Sequence, residues 1–458
     1  MSTVPVPPSP FPIAPDPDRA RILARERQKS TMLRAWIASG LFFMALPGTL
    51  LGFSSLMSIS THHGLDALPA AWMQGHGHAQ MFGWIGSFIL GIGFYSQPLG
   101  KRSPVRLPLA CFLLWTSGVL LRWLANVYLW HWRVLLPISA TFELIAILLF
   151  LRAASRHKLA APTGQATAHP KARPRMEEWM ILVLLGTAGL AAAVVFNFVE
   201  CILLARSATD PAFPHGLDQR YLVLLGWGFL APVVWGFSTR WLPTFLNLPR
   251  PGARLLQTAM LLDIAGVLAG VSGWPRLATP LIAAAAAVIV AALHLTQKPL
   301  GPAKVLGIHP SFPIFIRAAY LWLNIAALLG ILAAHADVHG GIWGASRHAL
   351  TVGFAATMVF AIGPRILPHF TGIRELYSRQ LMLLSLVLLQ AGCTLRVSSE
   401  PLAYEGVTAF AWKTLPISGV LELSGVLIFG LNIALTMLQG KSAFIEVDTS
   451  HHDSIVIR

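Results

Sequence analysis

Apolar and polar positions alternate in long blocks along the chain. Twelve blocks are almost wholly apolar for roughly twenty residues, the length that an α-helix needs to cross the hydrocarbon core of a bilayer. We number the corresponding predicted helices 1 to 12, over residues 34–57, 78–97, 106–124, 134–151, 179–202, 221–239, 255–272, 277–296, 314–334, 348–364, 380–397 and 414–437. The pattern predicts an all-α polytopic membrane protein with twelve transmembrane helices.

Composition narrows the class of protein further. Hydrophobic residues make up 55% of the 458 residues and charged residues 12%, against roughly 25% charged residues in soluble domains. The chain has no phosphate-binding loop, dinucleotide fingerprint or nucleophile elbow. Soluble enzymes are therefore excluded, and the lipid bilayer is the first expected partner. Cys111, Cys201 and Cys393 have neither metal-ligand nor disulfide spacing.

Basic residues are distributed unevenly between the predicted loops. If the N-terminus is cytoplasmic, 26 of the 34 Lys and Arg residues lie on the cytoplasmic side. Cytoplasmic loops of membrane proteins carry this excess, so both termini are expected in the cytoplasm and the protein in the inner membrane of a bacterium. The net charge of +15 then reflects topology, and nucleic acid is not an expected partner.

The chain is expected to contain three regions. Residues 1–33 are rich in proline and basic residues, which predicts a disordered cytoplasmic tail. Residues 34–440 form the membrane domain, and residues 441–458 form a second cytoplasmic tail. No removable signal peptide is expected before helix 1.

Helices 2, 6 and 10 contain three copies of one sequence pattern. HAQMFGWIGSFILGIGFYSQP, from His78, aligns with HALTVGFAATMVFAIGPRILP, from His348. The matching pairs include His78/His348, Gly83/Gly353, Gly93/Gly363 and Pro98/Pro368. The third copy, in helix 6, has Val223 where the other two have histidine. A repeat after every four helices predicts three pseudo-symmetric four-helix units about an axis along the membrane normal.

Histidines at the same register of two related helices are candidate metal ligands. Ionisable side chains are rare within the membrane, and imidazole is a usual axial ligand of haem iron. We predict that His78 and His348 bind one haem b iron from opposite sides, and that Gly83 and Gly353 give room to the macrocycle. His76 lies two residues before His78 and is expected either to point to another side of helix 2 or to lie in the preceding loop.

Two arginines and three carboxylates in the membrane part leave alternatives open. Arg122 and Arg347, at the outer ends of helices 3 and 10, either pair with haem propionates or extend to lipid headgroups. Glu143, Asp263 and Glu422 lie within helices 4, 7 and 12, where carboxylates are costly. They either relay protons or form structural contacts between helices.

The motifs of helices 2, 6 and 10 carry a family resemblance. HGHAQMFGW, LGWGFLAPVVWGFSTRWLPTFL and RHALTVGFAATMVFAIGPRILPHFTG resemble the NnrS family of haem- and copper-containing membrane proteins linked to nitric oxide metabolism. The similarity covers about residues 34–440. The threefold plan also resembles the catalytic subunit of haem-copper oxidases and nitric oxide reductases. This resemblance implies that His78 and His348 hold a low-spin haem.

The chain departs from the oxidases in the ligands of a second metal centre. The oxidases have copper-binding histidines on helices 6 and 7, and the predicted helices 221–239 and 255–272 contain none. They also have a histidine two residues before the helix 10 haem ligand, where this chain has Ser346. We therefore expect no oxygen reduction. The copper that the NnrS resemblance implies is expected at the outer surface, and its candidate ligands are His63, His76 and His339.

Three functions remain open from the sequence. The first is a b-haem protein of NnrS type that acts in the response to nitric oxide, in its detoxification or in electron transfer. The second is a haem-copper-like reductase with an altered site, supplied with electrons by quinol or cytochrome c. The third is a proton-coupled transporter. The implied partners are nitric oxide, quinol or a periplasmic electron-transfer protein. The number of haems per chain distinguishes the three functions, since no haem favours the transporter and two haems favour the reductase.

Overall fold

A computed structural model describes residues 17–96, 106–156, 176–370, 373 and 375–439. Every regular element within these residues is helical, and no strand occurs among them. The predicted all-α fold is therefore confirmed. The expected tail 441–458 and Pro98 of the repeat lie outside the described residues.

Twelve helical rods follow one another in this part of the chain. Helices 1 to 12 occupy 17–62, 70–96, Arg106–Tyr128, Trp132–Arg156, Glu178–Ser207, 215–246, Ala253–Val271, Pro275–Ala292, Phe312–Ala336, 341–370, Arg379–Tyr404 and Phe410–Gln439. Eleven of the rods are long and apolar enough to cross a membrane. The sequence predicts twelve such spans, and the rod outside the set of eleven is helix 2. Helix 1 begins at Pro17, so residues 17–33 are helical although the sequence predicts a disordered tail there.

Helices 2, 6 and 10 begin earlier than their apolar runs predict. They start at Ala70, His215 and Gly341, about two turns before the apolar runs. The first turns carry polar side chains, and the sequence pattern therefore assigns them to loops. As a result, His78 and His348 lie well inside their helices and not at the helix ends.

The helices pack in the order that a threefold repeat requires. Within each unit the third helix packs along the fourth, as helices 3 and 4, 7 and 8, and 11 and 12 do. The first helix of each unit packs against the second in the same way. Contacts between helices 4 and 5, 8 and 9, and 12 and 1 join the units into a closed ring. The predicted division into three four-helix units is therefore confirmed.

Helices 2, 6 and 10 share an unusual backbone geometry at one register. Each is α-helical up to the aligned position, which is His78, Val223 or His348, and π-helical immediately after it. The π-helical stretches are Ala79–Gly86, Leu224–Leu230 and Ala349–Ala356. Such stretches are rare and occur frequently at functional sites. The shared break supports the alignment of Val223 with the two histidines.

One glycine in each helical hairpin identifies equivalent positions in the three units. A Cβ on Gly118, Gly266 or Gly392 would lie 2.7–2.8 Å from a side chain of the following helix, a separation that only glycine permits. The side chains that these glycines approach are Glu143, Ile282 and Glu422, respectively. The residues four positions after the glycines are Arg122, Gly270 and Arg396. Units 1 and 3 therefore have an arginine and a glutamate where unit 2 has glycine and isoleucine, and Arg122, Glu143 and Arg396 are buried.

The outward surface of the ring is apolar. On helix 9, Ile314, Leu321 and Leu328 lie seven residues apart and are 61–67% exposed. Leu261 and Leu268 repeat the pattern on helix 7. Soluble proteins rarely expose continuous apolar surface of this kind. The ring is therefore surrounded by lipid, as the sequence predicts.

Candidate haem-binding site

Threefold pseudosymmetry places equivalent side chains in three different spaces between the helices. We call these space A, lined by helices 2 to 5, space B, lined by helices 6 to 10, and space C, lined by helices 10 to 12, 1 and 2. His78 lies in space A against helix 4, Val223 in space B against helix 7, and His348 in space C against helix 11. Residues at one register therefore face different spaces.

Space A contains a buried polar network centred on Glu143. Its Oε1 lies 2.7 Å from Nε2 of His78, and its Oε2 accepts a hydrogen bond of 3.0 Å from Nδ2 of Asn197. Arg122 donates from Nη1 to Oδ1 of Asn197 at 2.8 Å and to Sγ of Cys201 at 2.6 Å. All five side chains are buried. The network joins helices 2 to 5 through buried polar side chains.

These contacts locate three residues that the sequence singles out. Arg122 is 1% exposed and its guanidinium lies 4.7 Å from the ring of Phe213, so it does not extend to lipid headgroups. Glu143 contacts side chains of helices 2 and 5. Of the two roles that the sequence leaves open, proton relay or structural contact between helices, the second is the one that these contacts fit. His78 stacks on Phe82 with ring centroids 4.3 Å apart, and its Nδ1 has no hydrogen-bond partner among the described residues.

Space C contains His348 and a second set of buried charges. Nδ1 of His348 lies 2.9 Å from the carbonyl oxygen of Gly344 and 3.2 Å from Oε2 of Glu400. Arg396, at the position equivalent to Arg122, donates from Nε to the same carboxylate oxygen at 3.1 Å. The contacts hold the imidazole through Nδ1, and Nε2 takes part in none of them.

His76 also faces space C. Its Nδ1 lies 2.9 Å from the carbonyl oxygen of Gly48 on helix 1. Its ring packs on Gly52, where a Cβ would lie 2.6 Å from Cε1 of the imidazole. His348 and Arg396 are near enough to act on His76 electrostatically. Helices 2 and 10 therefore each bring one imidazole to space C, and each imidazole is held through Nδ1.

Gly83 and Gly353 lie at contacts between neighbouring helices. A Cβ on Gly83 would lie 2.6 Å from Phe43 of helix 1, and one on Gly353 would lie 2.6 Å from Trp322 of helix 9. Both glycines thus bring the second helix of a unit close to the first. The additional prediction that they make room for a macrocycle remains a prediction.

Arg347 lies on the side of helix 10 that faces helix 6. Its Nη2 donates a hydrogen bond to Oε1 of Gln219, and Asp218 and Glu400 both act on it electrostatically. The arginine therefore sits between spaces B and C, where it links helix 10 to helix 6. The contact is with protein groups, and it involves neither haem propionates nor lipid headgroups, the two partners that the sequence leaves open for Arg347.

The outer histidines proposed for copper are separated from one another. His63 stacks on Trp412 with centroids 5.2 Å apart, and His339 lies 3.2 Å from Glu405 through Nδ1. Burial raises the pKa of Asp337, which shares a hydrogen bond with Glu405. Among the described residues, no three His, Cys, Asp or Glu side chains are placed to hold a metal ion. The structure does not bring His63 and His339 to His76.

At the positions equivalent to His78, Arg122 and Glu143, space B has Val223, Gly270 and Ile282. Val223 packs on Gly270, with Cγ1 2.8 Å from the position of a Cβ there. Ser346 is buried and donates to the carbonyl oxygen of Ala326 at 2.8 Å. His215 is the one histidine of helices 6 and 7, and it lies at the outer end of helix 6. Among the residues that the structure describes, no three His, Cys, Asp or Glu side chains meet in space B.

Comparison with known proteins concerns the fold. The matching family model is described as a domain of unknown function (DUF8744) and covers residues 242–438. No curated protein matches in sequence. A heme-copper terminal oxidase, solved by cryo-EM as a dimer, has a TM-score of 0.68 and 12% identity to this chain. The alignment covers 91% of this chain and 85% of the oxidase chain. The chain thus has a fold similar to that of a heme-copper terminal oxidase.

Proposed function

We propose that this chain is a haem-binding redox protein of the membrane, in which His76 and His348 hold one haem b iron in space C. The observation that carries the proposal is that both imidazoles are held through the same ring nitrogen. Each is held through Nδ1 by a backbone carbonyl, of Gly48 or Gly344. That arrangement fixes the tautomer in which Nε2 can bind a metal.

The surroundings of His348 also fit a metal ligand. Metal-binding histidines usually donate their other N–H to a carboxylate or a carbonyl group, and that contact raises the basicity of the ligand. His348 has both partners, Gly344 and Glu400, and Arg396 holds the carboxylate in place. A bound haem would supply one-electron exchange. The residues of the chain would fix the two imidazoles and provide a charged network around them.

His78 is less suited to this role. Its Nε2 is already 2.7 Å from the carboxylate of Glu143, in space A. Binding a metal through Nε2 would remove that contact and leave a buried carboxylate with one partner fewer, which is costly. The pairing of His78 with His348 is therefore replaced, in this proposal, by the pairing of His76 with His348.

Haem quantitation tests the proposal. The protein, purified after expression with haem supply, is expected to contain one b-type haem per chain by the pyridine haemochrome method, with a low-spin spectrum. A protein without haem would reject the proposal and favour the transporter. Two haems per chain would favour a reductase with a second centre.

We expect the purified protein not to reduce oxygen. Helices 6 and 7 hold one histidine, His215, and Ser346 stands where the oxidases have a second helix 10 histidine. Two imidazoles on one iron also leave no open coordination position. Oxygen uptake is measured with ascorbate and a redox mediator, with haem-free buffer as the control. Rapid, cyanide-sensitive uptake would contradict the proposed ligand set.

A nitric oxide-linked role is a second candidate for the same centre. It is favoured by the motifs at 76–84 and 347–372 that resemble the NnrS family. If the centre senses or scavenges nitric oxide, the gas must displace one imidazole from the reduced iron. Addition of nitric oxide to the dithionite-reduced protein is then expected to shift the Soret band. An unchanged spectrum would leave electron transfer as the proposed role.

A further inference from the structure

Space B contains a cavity where the sister spaces have charged side chains. Its volume is about 340 Å³, at the lower end of the range for small-molecule sites. Val223, Gly270 and Ile282 line it, and they occupy the positions of the histidine, arginine and glutamate of space A. The cavity therefore lies where unit 2 has lost the side chains that fill the equivalent volume in unit 1.

The lining of the cavity has a defined chemical character. Trp227 and Trp343 contribute two indole rings, from helices 6 and 10, and flat rings of this kind stack on other aromatic rings. Gln219 and Arg220 add side chains that can donate hydrogen bonds, whereas the hydroxyl of Thr279 already donates to the carbonyl oxygen of Pro275. No carboxylate belongs to the lining residues. The cavity thus combines an apolar body with hydrogen-bond donors and nothing that would attract a cation.

The outer end of the cavity is shaped by the turn between helices 7 and 8. Gly273 has a φ of +87°, a conformation that glycine adopts without strain. A Cβ at this position would lie 2.7 Å from Nη2 of Arg220. The glycine therefore permits the guanidinium to lie at the cavity, where it can donate to a ligand oxygen.

We propose that space B is a binding site for an uncharged aromatic ring that bears a carbonyl or hydroxyl oxygen, the chemistry of a quinone or a phenol. The indoles contact the ring, and Gln219 and Arg220 donate hydrogen bonds to the oxygen. The cavity is too small for a haem macrocycle. The proposal concerns binding alone and does not rest on the haem in space C.

The test uses duroquinone, a single-ring quinone, and isothermal titration calorimetry of the full chain in detergent, with a detergent-only reference. Gly330 lines the cavity, and a Cβ there would lie at an ordinary 3.6 Å from Ser346 and Thr279. Gly330→Leu therefore fills the cavity. The matched control is Gly430→Leu on helix 12, where a Cβ would lie 3.7 Å from the flexible end of Met44.

We expect saturable binding at one site per chain in the wild type and in Gly430→Leu. Gly330→Leu is expected to bind at least about tenfold more weakly, a loss of about 1.4 kcal/mol. If Gly330→Leu does not purify as a monodisperse protein, Gly330→Ala is expected to weaken binding in the same direction. Durene, the same ring without oxygens, is expected to bind more weakly than duroquinone in the wild type.

Three results would overturn the proposal. The first is a wild-type titration that matches the detergent reference. The second is equal duroquinone affinity in the wild type and the Gly330 variant that folds. The third is equal affinity for durene and duroquinone, which would remove the role of the hydrogen-bond donors. Haem content is measured on the same samples, so that a failure of the ring-binding proposal for space B can be distinguished from a failure of the haem proposal for space C.

Discussion

His76→Ala and His348→Ala each lose the low-spin haem spectrum, whereas His78→Ala retains it. This is the expected result if the iron is held from helices 2 and 10 across space C. His76 and His348 are both held through Nδ1 beside that space, and His78 lies in space A with Nε2 beside Glu143. Absorption spectra and pyridine haemochrome quantitation of the three purified variants make the comparison directly.

A chemical rescue experiment tests whether a variant loses haem because it lacks a ligand or because it is misfolded. Substitution of His76 by glycine leaves space for free imidazole, and added imidazole is expected to restore the low-spin spectrum. His78→Ala removes a buried partner of Glu143, so we expect it to lower thermal stability without loss of haem. Loss of haem in His78→Ala, together with retention in His76→Ala, would contradict the proposed pairing and favour the pairing predicted from the sequence.

Arg122→Ala is expected to be the most destabilising of the single charge deletions. Arg122 is 1% exposed and is the cation of a network that includes the fully buried Glu143. Removing one partner of a buried charge pair typically costs about 3–5 kcal/mol. The measurement is the free energy of unfolding in detergent, or the shift in Tm when unfolding is irreversible. Asn197 transmits the interaction, since it bonds both charged side chains.

An exposed ion pair supplies the matched control. Arg240 lies 3.2 Å from Glu177, and the two side chains are 53% and 62% exposed. Arg240→Ala is therefore expected to cost about 0–1 kcal/mol. The double variant Arg122→Met with Glu143→Gln, which removes both buried charges, is expected to recover part of the stability lost in Arg122→Ala. Equal, small losses in Arg122→Ala and Arg240→Ala would show that the buried network contributes little.

The helices and the repeat could be predicted from the sequence because both depend on local patterns. Apolar runs identify segments that must lie in lipid, and the matched glycines of helices 2 and 10 reveal the four-helix period. The helix starts were wrong for a related reason. Polar residues such as Gln74 and Gln219 lie inside the helices, bonded to protein groups, and a hydropathy pattern treats them as loop residues.

The pairing of histidines could not be read from register alone. Under a threefold axis, His78 and His348 point into equivalent but different spaces, so they do not meet. In the proposed pairing, the second imidazole comes from another side of helix 2. Residues two apart differ in direction by roughly 200° on an α-helix, and His76 meets that requirement. The proposed pairing therefore follows from the repeat combined with the spacing of His76 and His78.

The buried networks required the three-dimensional structure. Arg122 and Asn197 are separated by 75 residues, and His78 and Glu143 by 65. No local pattern records such contacts. The equivalence of Arg122 and Arg396 follows a glycine four residues earlier in each case, but it is recognisable only when the hairpins of helices 3 and 4 and of helices 11 and 12 are superposed. The same superposition of the three hairpins shows that space B has small or apolar residues where space A has charged ones.

The most direct test of the central claim is the midpoint potential of His76→Met in a redox titration, with His78→Met as the matched variant. Replacement of one axial histidine by methionine raises the potential of a haem. We predict a higher midpoint potential in His76→Met and a wild-type value in His78→Met. A raised potential in His78→Met with a wild-type value in His76→Met would contradict the assignment of the haem to His76 and His348.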